Sequence, residues 1–370
     1  MIPKRVASSV VQRQVKYVTP VPASAATGLV SQVYQQVAEE MRLVIPPALL
    51  HSPVPPLLGA YWTLVREPLL PAGAVDRGTK EAVAAAVAVA NICPYCVDMH
   101  SVSLYELSTE DNAEALAADR VDQMVDPRLQ AVTAWARTAH EADSPRPLPD
   151  GSSPAARAEL AGVVVGMHYL TRMVNVFLSN FLLPPGLGPR GRRRFKRGVS
   201  RILRPTLRDP REPGRSLSLL PDAPPPPDAS WAAGNPTVAA AVARAAAVFE
   251  AAGARSLSPA VRAVVEERLD AWRGEEAGLS TAWCEQLLSG LSAADRATGC
   301  LALLTALASY QVDEGVVGEF RRYHPDDASL LDVAAWASFA VARRIGARVG
   351  QRRTSGDAPV AMTHHDGMRR

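Results

Sequence analysis

Two cysteines three positions apart are the most reactive feature of the chain. Cys93 and Cys96 lie in the segment 91–100, NICPYCVDMH. At the start of a helix such a pair can close a small disulfide ring, and the unpaired backbone N–H groups there favour a thiolate. His100 follows Cys96 by four residues on the same helical face. Its imidazole can therefore take the Cys96 proton or stabilise the thiolate as an ion pair.

Ionisation of the thiol alone accelerates its attack on a peroxide only slightly. Lowering a thiol pKa from about 8.5 to about 6.5 raises the ionised fraction at pH 7 roughly 25-fold, but the loss of nucleophilicity takes back about 6- to 10-fold. Reduction of a peroxide also expels an alkoxide or hydroxide that needs a proton, and general acid–base help is worth about 10²–10⁴. Glu81 begins the helix that ends before Cys93, so its carboxylate is the candidate second acid–base group.

The residues before the dithiol decide which scaffold holds it. The letters CPYC are typical of glutaredoxins, in which the dithiol follows a buried β-strand. Here residues 81–90, EAVAAAVAVA, are strong helix formers, Asn91 is the expected helix stop, and Pro94 suits the first turn of a second helix. The preceding helix therefore excludes a glutaredoxin fold, but redox chemistry of the two cysteines is still predicted.

The spacing Glu-x11-Cys-x2-Cys-x3-His on an Ala-rich helical pair resembles the alkylhydroperoxidase D family within the carboxymuconolactone decarboxylase superfamily. The segment 168–177, HYLTRMVNVF, is similar to the closing helix of that domain. The resemblance implies an all-α fold and a thiol-dependent peroxidase of alkyl hydroperoxides. In that reading Cys96 attacks the peroxide, Cys93 resolves the sulfenic acid to a disulfide, and His100 and Glu81 relay protons.

The resemblance also implies partners. It predicts no tightly bound cofactor or metal, an external dithiol reductant such as a lipoyl group on a carrier protein, and a homo-oligomer. Some peroxidase members of the family place His between the two cysteines, whereas Tyr95 stands here. That difference bears on the choice of substrate and reductant.

Composition sets the class of protein. Apolar residues make up 48% of the 370 residues, and the formal net charge is only +3. This balance gives no reason to expect nucleic acid or an anionic membrane as partner. The apolar run 160–183 carries His168, Arg172, Asn175 and Asn180, so we expect a buried helix there and not a membrane span. No secretory signal is recognisable, and we expect a cytoplasmic protein with reduced thiols.

Composition shifts predict the domain organisation. Residues 1–184 are expected to form a helical domain with the dithiol, 185–230 a linker rich in proline and arginine with at most a short basic turn, 231–350 a second helical domain, and 351–370 a disordered tail. The second domain reads as a degenerate copy of the first. At an offset of 215 residues, YCVD at 95–98 corresponds to YQVD at 310–313, and the match Ala-Trp-Ala at 134–136 and 335–337 has a slightly different offset.

In that alignment the second copy lacks the site. Its positions corresponding to Glu81, Cys93, Cys96 and His100 are Arg296, Ala308, Gln311 and Gly315.

Other interpretations of the same residues remain open. Cys93, Cys96 and His100 could bind zinc with Glu81 or Asp98, although a second Cys/His pair is absent. The remaining candidates have simpler explanations as buried or solvated side chains: Cys284 and Cys300, His168, the basic run 190–201, and His364 and His365.

Two other functions also fit the sequence. One is a superfamily enzyme that acts on a lactone or similar small acid without using its thiols. The other is a redox sensor or protein-binding module, suggested by the degenerate second half and the basic segment.

Overall fold

The computed structural model describes residues 14–144, 146–149, 151–179 and 186–351. Among these residues the helices are joined by loops and short 3-10 turns, and the β structure is limited to an isolated bridge between Val15 and Leu178. The predicted all-α fold class is confirmed. The tail from 352 to 370, with His364 and His365, lies outside the described residues.

The α-helices follow one another with short connections. In chain order they are α1 Gly28–Met41, α2 Pro46–His51, α3 Pro55–Leu69, α4 Arg77–Ala90, α5 Pro94–Leu107, α6 Glu110–Ala117, α7 Pro127–Arg137, α8 Pro154–Phe177, α9 Pro189–Arg208, α10 Pro236–Ser256, α11 Pro259–Ala271, α12 Ala282–Leu287, α13 Ala293–Leu307, α14 Glu314–Arg321 and α15 Asp327–Gln351.

Many of the prolines start helices instead of breaking them. Helices α7, α8, α10 and α11 each begin with proline directly after a capping residue whose side chain accepts backbone N–H bonds. The caps are Asp126, Ser153, Asn235 and Ser258. Proline suits this position because the N–H that it lacks would have no helical partner there. A high proline content is therefore compatible with a helical protein.

The central helix of the core is α8, which is buried along almost its whole length. It packs against α3 and α4 of the first half and against α15 of the second, while α10 packs on α3. Buried residues from both halves form one continuous hydrophobic cluster. The division into two domains stays a prediction, and the two halves share a core.

The predicted linker contains a long helix. The sequence from 185 to 230 was expected to hold no more than a short basic turn, but α9 spans 20 residues and packs against α5. Pro189 lies in the first turn, where proline removes no helical hydrogen bond, and Pro205 lies inside the helix close to its end. Cations of α9 pair with carboxylates of α5 and α6, such as Arg204 with Glu106 and Arg197 with Glu110. These pairs fix the helix beside the dithiol.

The helices at the predicted repeat correspond in part. An offset of 215 residues places α4 on α13 and the start of α5 on the short turn Ser309–Gln311 followed by α14. The second match, between Trp135 and Trp336, pairs the 11-residue α7 with the 25-residue α15. The duplication therefore stays a prediction.

Two helices, α8 and α10, are long and apolar enough to cross a membrane. The apolar window of α8 is wholly buried inside the protein, and half of the window of α10 is buried. Its buried Arg172 has internal partners, since it donates to the carbonyls of Ala306 and His168. This is the pattern of a core helix, as expected for the run 160–183 in its described part.

A buried ion pair fixes the start of the helix that carries Glu81. Lys80 Nζ lies 2.8 Å from Glu159 Oε2 of α8, and both side chains are almost fully buried. Glu159 also accepts the backbone N–H groups of Ala74 and Val75. A Cβ on Gly73 would lie 2.3 Å from the Glu159 carboxylate, so only glycine lets the loop approach this closely.

We predict that Lys80→Met lowers the free energy of unfolding by about 3 kcal/mol, because it leaves the Glu159 carboxylate buried without its cation. Lys16→Met is the matched control, since Lys16 is half-exposed, and we expect it to change stability by less than about 0.5 kcal/mol. Urea denaturation followed by circular dichroism measures both. Equal effects of the two substitutions would show that the buried pair does not stabilise this junction.

Candidate active site

A tight turn between α4 and α5 places the dithiol. The N–H of Ile92 donates to the Val89 carbonyl, and the N–H of Cys93 donates to the carbonyl of Ala88. These are the two bonds of a Schellman motif, in which the residue after the cap takes a left-handed conformation. That residue is Ile92, with φ of 51°. A β-branched residue in this conformation costs on the order of 1–2 kcal/mol, so the surrounding structure holds a strained turn directly before Cys93.

Two side chains of the central helix α8 form hydrogen bonds with this turn. Asn91 donates from Nδ2 to His168 Nδ1 at 2.9 Å, and Asn175 Nδ2 donates to the Asn91 carbonyl at 2.9 Å. Because an amide N–H can only donate, His168 Nδ1 is the acceptor and its ring is neutral with the proton on Nε2. Burial likewise lowers the pKa of His168 well below its usual range. His168 therefore supports the turn, as its structural interpretation predicted.

The two thiols are in direct contact. The Sγ atoms of Cys93 and Cys96 are 2.7 Å apart, and both residues are buried. Cys93 is the N-cap of α5, and Pro94 is its first helical residue. A disulfide bond is about 2.05 Å long, so the ring can close with a shift of less than about 1 Å.

A buried carboxylate connects the imidazole to a cation. His100 Nδ1 lies 2.6 Å from Glu81 Oε2, and Arg77 Nε donates to Glu81 Oε1 at 2.8 Å. Burial alone would raise the pKa of Glu81, but the charges and hydrogen bonds of Arg77 and His100 outweigh it and lower the pKa to about 2. Glu81 is therefore ionised at neutral pH and accepts the proton of His100 Nδ1.

This bond fixes the chemical role of His100. With the Nδ1 proton bound to a carboxylate, Nε2 is the ring atom that can accept or return a proton, as in a catalytic Ser-His-Asp arrangement. Among the described residues no direct hydrogen bond joins His100 to Cys96, but both line the same cavity. The structure thus brings Glu81, His100 and Cys96 to one cavity, with Cys93 in contact with Cys96.

The pKa of Cys96 departs from the sequence-based expectation. The helix N-terminus and His100 were expected to favour a thiolate, but the pKa of Cys96 is raised well above its usual value. Burial is the main cause, followed by the hydrogen bond and the charge of Cys93. The resting group is therefore a thiol, and a base must remove its proton when the substrate is present.

The cavity at Cys96 is mostly apolar. It has a volume of about 90 Å³ and is lined by side chains such as Trp62, Val65, Leu170 and Val174. Helix α9 contributes Leu203 and Leu207 to its wall. Sequence reasoning missed these contributions because it interpreted α9 as a linker.

Two tyrosines supply polar atoms in this cavity. Both Tyr61 and Tyr95 line it, and both are buried. The Tyr95 hydroxyl has no hydrogen-bond partner among the described residues. Burial, then the charge of Cys96, raises the pKa of Tyr95, so the hydroxyl stays protonated and is available as a donor. The sequence identified Tyr95 only as a departure from the family pattern.

The other cysteines form a second pair that the sequence did not predict. Cys284 of α12 and Cys300 of α13 were interpreted as unrelated buried thiols, but they hydrogen-bond to each other. This bond, together with burial, raises the pKa of Cys284. The same bond lowers the pKa of Cys300 and outweighs the opposing effect of burial. No group of three or more His, Cys, Asp or Glu side chains in the described ranges is arranged to bind a metal, so the zinc interpretation gains no support.

Comparison with known proteins agrees with this geometry. Residues 56–138, which contain the four candidate site residues, match the family described as the carboxymuconolactone decarboxylase family. The chain is 36% identical over 336 residues to the protein named alkyl hydroperoxide reductase Rv2159c of Mycobacterium tuberculosis (strain ATCC 25618 / H37Rv). That alignment covers 91% of this chain and 95% of the relative, while no solved structure matches. The chain therefore belongs to the carboxymuconolactone decarboxylase family and has an alkylhydroperoxidase D-like domain.

Proposed function

We propose that this protein is a thiol-dependent peroxidase that reduces alkyl hydroperoxides through Cys93 and Cys96. The observation that carries the proposal is the contact of the two thiols beside a cavity that also contains the Glu81–His100 pair. The name of the Mycobacterium tuberculosis relative, an alkyl hydroperoxide reductase, supports the same activity.

In the first step the Cys96 thiol becomes nucleophilic. His100 Nε2 takes its proton, while Glu81 holds the Nδ1 proton and stabilises the imidazolium. The Cys96 thiolate attacks the terminal oxygen of R–O–OH, and the O–O bond breaks. The proton on His100 passes to the leaving alkoxide, so an alcohol departs and Cys96 becomes a sulfenic acid.

The second step closes the disulfide. The Cys93 sulfur attacks Cys96, the S–O bond breaks, and water leaves with the Cys93 proton. The 2.7 Å contact between the sulfur atoms supports this role of Cys93. An external dithiol, such as a lipoyl group on a carrier protein, then returns two electrons and two protons. No tightly bound cofactor is needed in this cycle.

The cavity favours an organic substrate. Its wall is built from aromatic and aliphatic side chains, and each methylene that it buries is worth about 0.8 kcal/mol. Hydrogen peroxide gains none of this energy. We therefore assign alkyl hydroperoxides as the substrate class. As the family resemblance implies, we also propose a homo-oligomeric enzyme, located in the cytoplasm, where cysteines are kept reduced.

We predict that Cys96→Ser abolishes peroxide turnover, because serine cannot form a sulfenic acid. Cys93→Ser should consume one equivalent of tert-butyl hydroperoxide and then stop, because the sulfenic acid at Cys96 cannot be resolved. Stopped-flow kinetics of the reduced proteins, followed by dimedone labelling and mass spectrometry, measures both outcomes. Turnover that persists in Cys96→Ser, or after alkylation of all cysteines, would overturn the proposed function.

We predict that Glu81→Gln lowers the rate of Cys96 oxidation at pH 7 by about 100-fold, because His100 loses the carboxylate that makes Nε2 an effective base. Since the pKa of Cys96 is raised, the residual rate depends on spontaneous ionisation and should increase about tenfold per pH unit from pH 6 to 9. The wild-type rate should change less over this range. Glu106→Gln on α5, outside the cavity, is the control. A parallel pH profile for Glu81→Gln and wild type would contradict the proposed relay.

We predict that Tyr95→Phe lowers kcat/KM for tert-butyl hydroperoxide by about tenfold without lowering stability. The Tyr95 hydroxyl lines the cavity and has no partner among the described residues, so it can donate to the peroxide. Removing a buried unpaired hydroxyl does not break an existing bond. Tyr105→Phe is the matched control, because the Tyr105 hydroxyl donates to Glu114 at 2.7 Å outside the cavity. It should lower stability and leave the peroxide rate unchanged. Steady-state kinetics and urea denaturation of both variants separate the two effects.

A further inference from the structure

The two reactive cysteines border different spaces. Cys96 lines the apolar cavity described above, and Cys93 does not. Cys93 instead lines a separate cleft of about 370 Å³ at the surface, with Ile92, Asp98, Arg120, Arg192 and Lys196 among its walls. Cys96 does not line this cleft. The dithiol therefore forms part of the partition between the cavity and the cleft.

The cleft lies at the end of a strongly basic helix. Helix α9 carries nine Arg and Lys side chains and no acidic residue. Its described ion pairs use four carboxylates, those of Asp98, Glu106, Glu110 and Glu114. Nine positive charges against four negative ones leave a surplus of five for α9 and its ion-pair partners.

Three of these cations are directed to solvent. Arg190, Arg194 and Arg201 are exposed, and they take no part in the ion pairs described for α9. At the mouth of the cleft, Ile92 is 49% exposed. A basic surface therefore lies near a cleft that has an apolar residue at its mouth and the buried Cys93 sulfur in its wall.

We propose that the reductant attacks the disulfide at Cys93 through this cleft, and that it is a dithiol arm carried by an acidic protein domain that docks on the basic face of α9. The inference rests on the proposed function and adds to it the route, the attacked sulfur and the chemistry of the partner. Peroxide and reductant then reach the dithiol from opposite sides.

The geometry of thiol–disulfide exchange supports the route. An attacking thiolate approaches a disulfide sulfur along the extension of the S–S bond, so an attack on Cys93 comes from the side away from Cys96. Cys93 lines the cleft and Cys96 does not, which fits this direction of approach. The new bond forms to Cys93 Sγ, the S–S bond breaks, and the electron pair goes to Cys96 Sγ.

Protons and electrons balance in two exchanges. Cys96 leaves as a thiolate and takes a proton, for which His100 is the nearby donor in the cavity. The second thiol of the arm then attacks the arm's first sulfur atom, which is bonded to Cys93 in the mixed disulfide. Cys93 is released and takes the remaining proton. The arm becomes a cyclic disulfide, and both cysteines are reduced.

The first experiment varies the charge around the dithiol on its carrier. Protein oxidised in advance with one equivalent of diamide is mixed with dithiothreitol, or with a synthetic peptide whose dihydrolipoyl-lysine is flanked by glutamates or by lysines. We expect the glutamate peptide to reduce the protein at least tenfold faster than the lysine peptide at low salt. The difference should shrink at 0.5 M salt, where exposed charges are screened.

A charge-reversed variant locates the docking face. Arg190→Glu/Arg194→Glu/Arg201→Glu should lower the rate with the glutamate peptide at least tenfold and leave the rate with dithiothreitol within twofold. Arg128→Glu/Arg157→Glu/Arg322→Glu is the matched control, with the same change in charge at exposed sites outside α9. Equal rates for both variants, or an equal loss with dithiothreitol, would overturn the docking proposal.

Single-cysteine proteins identify the attacked sulfur. The remaining thiol of Cys96→Ser or Cys93→Ser is capped with thionitrobenzoate, and release of the coloured group by the glutamate peptide is followed. Cys93→Ser/Cys96→Ser gives the background from Cys284 and Cys300. We expect release from Cys93 to be at least tenfold faster, and faster release from Cys96 would overturn the route.

Because these assays start from chemically oxidised or capped protein, they do not depend on peroxide turnover. A failure of the reductant proposal can therefore be distinguished from a failure of the proposed function.

Discussion

The active site depends on one buried carboxylate, that of Glu81. An ion of this kind is stable inside a protein only when its charge is matched, and here Arg77 and His100 bind its two oxygens. The same contacts keep it ionised, with a pKa of about 2. Ionisation fixes the His100 tautomer, and the tautomer leaves Nε2 as the proton acceptor in the cavity. The direction of proton transfer is thus set at the other ring nitrogen, where Nδ1 donates to a Glu81 carboxylate that Arg77 keeps ionised.

Burial of the dithiol makes that acceptor necessary. The apolar surroundings that suit an alkyl hydroperoxide also raise the pKa of Cys96, so the helix N-terminus does not produce a standing thiolate. A resting thiol is less open to unwanted oxidation and to metals, and it becomes reactive when a base is in place. The site therefore gains selectivity from desolvation and recovers reactivity from the Glu81–His100 pair.

Local sequence patterns predicted most of the scaffold and the central residues of the site. Helical propensity before Cys93, the stop at Asn91 and Pro94 in the first turn of the next helix are short-range signals, and they predicted the turn that carries the dithiol. Helix-favouring composition predicted the all-α class. The family resemblance implied that Glu81 and His100 act together on Cys96, and the structure has their side chains 2.6 Å apart. The pKa of Cys96 and the pairing of Cys284 with Cys300 could not be predicted, because they depend on packing between distant segments. Helix α9 was missed because its many charges and prolines resemble a linker when its partners on α5 and α6 are unknown.

Helix α9 lines both of the spaces that border the dithiol. Its apolar residues, such as Leu203 and Leu207, close the cavity at Cys96, while Arg192 and Lys196 border the cleft at Cys93. A small apolar cavity and a protein-borne reductant place opposite demands on a buried sulfur atom, since the first requires shielding from water and the second requires exposure. Two adjacent cysteines satisfy both demands when each borders its own space. The strained turn at Ile92 and its bonds to α8 are what hold Cys93 at that boundary.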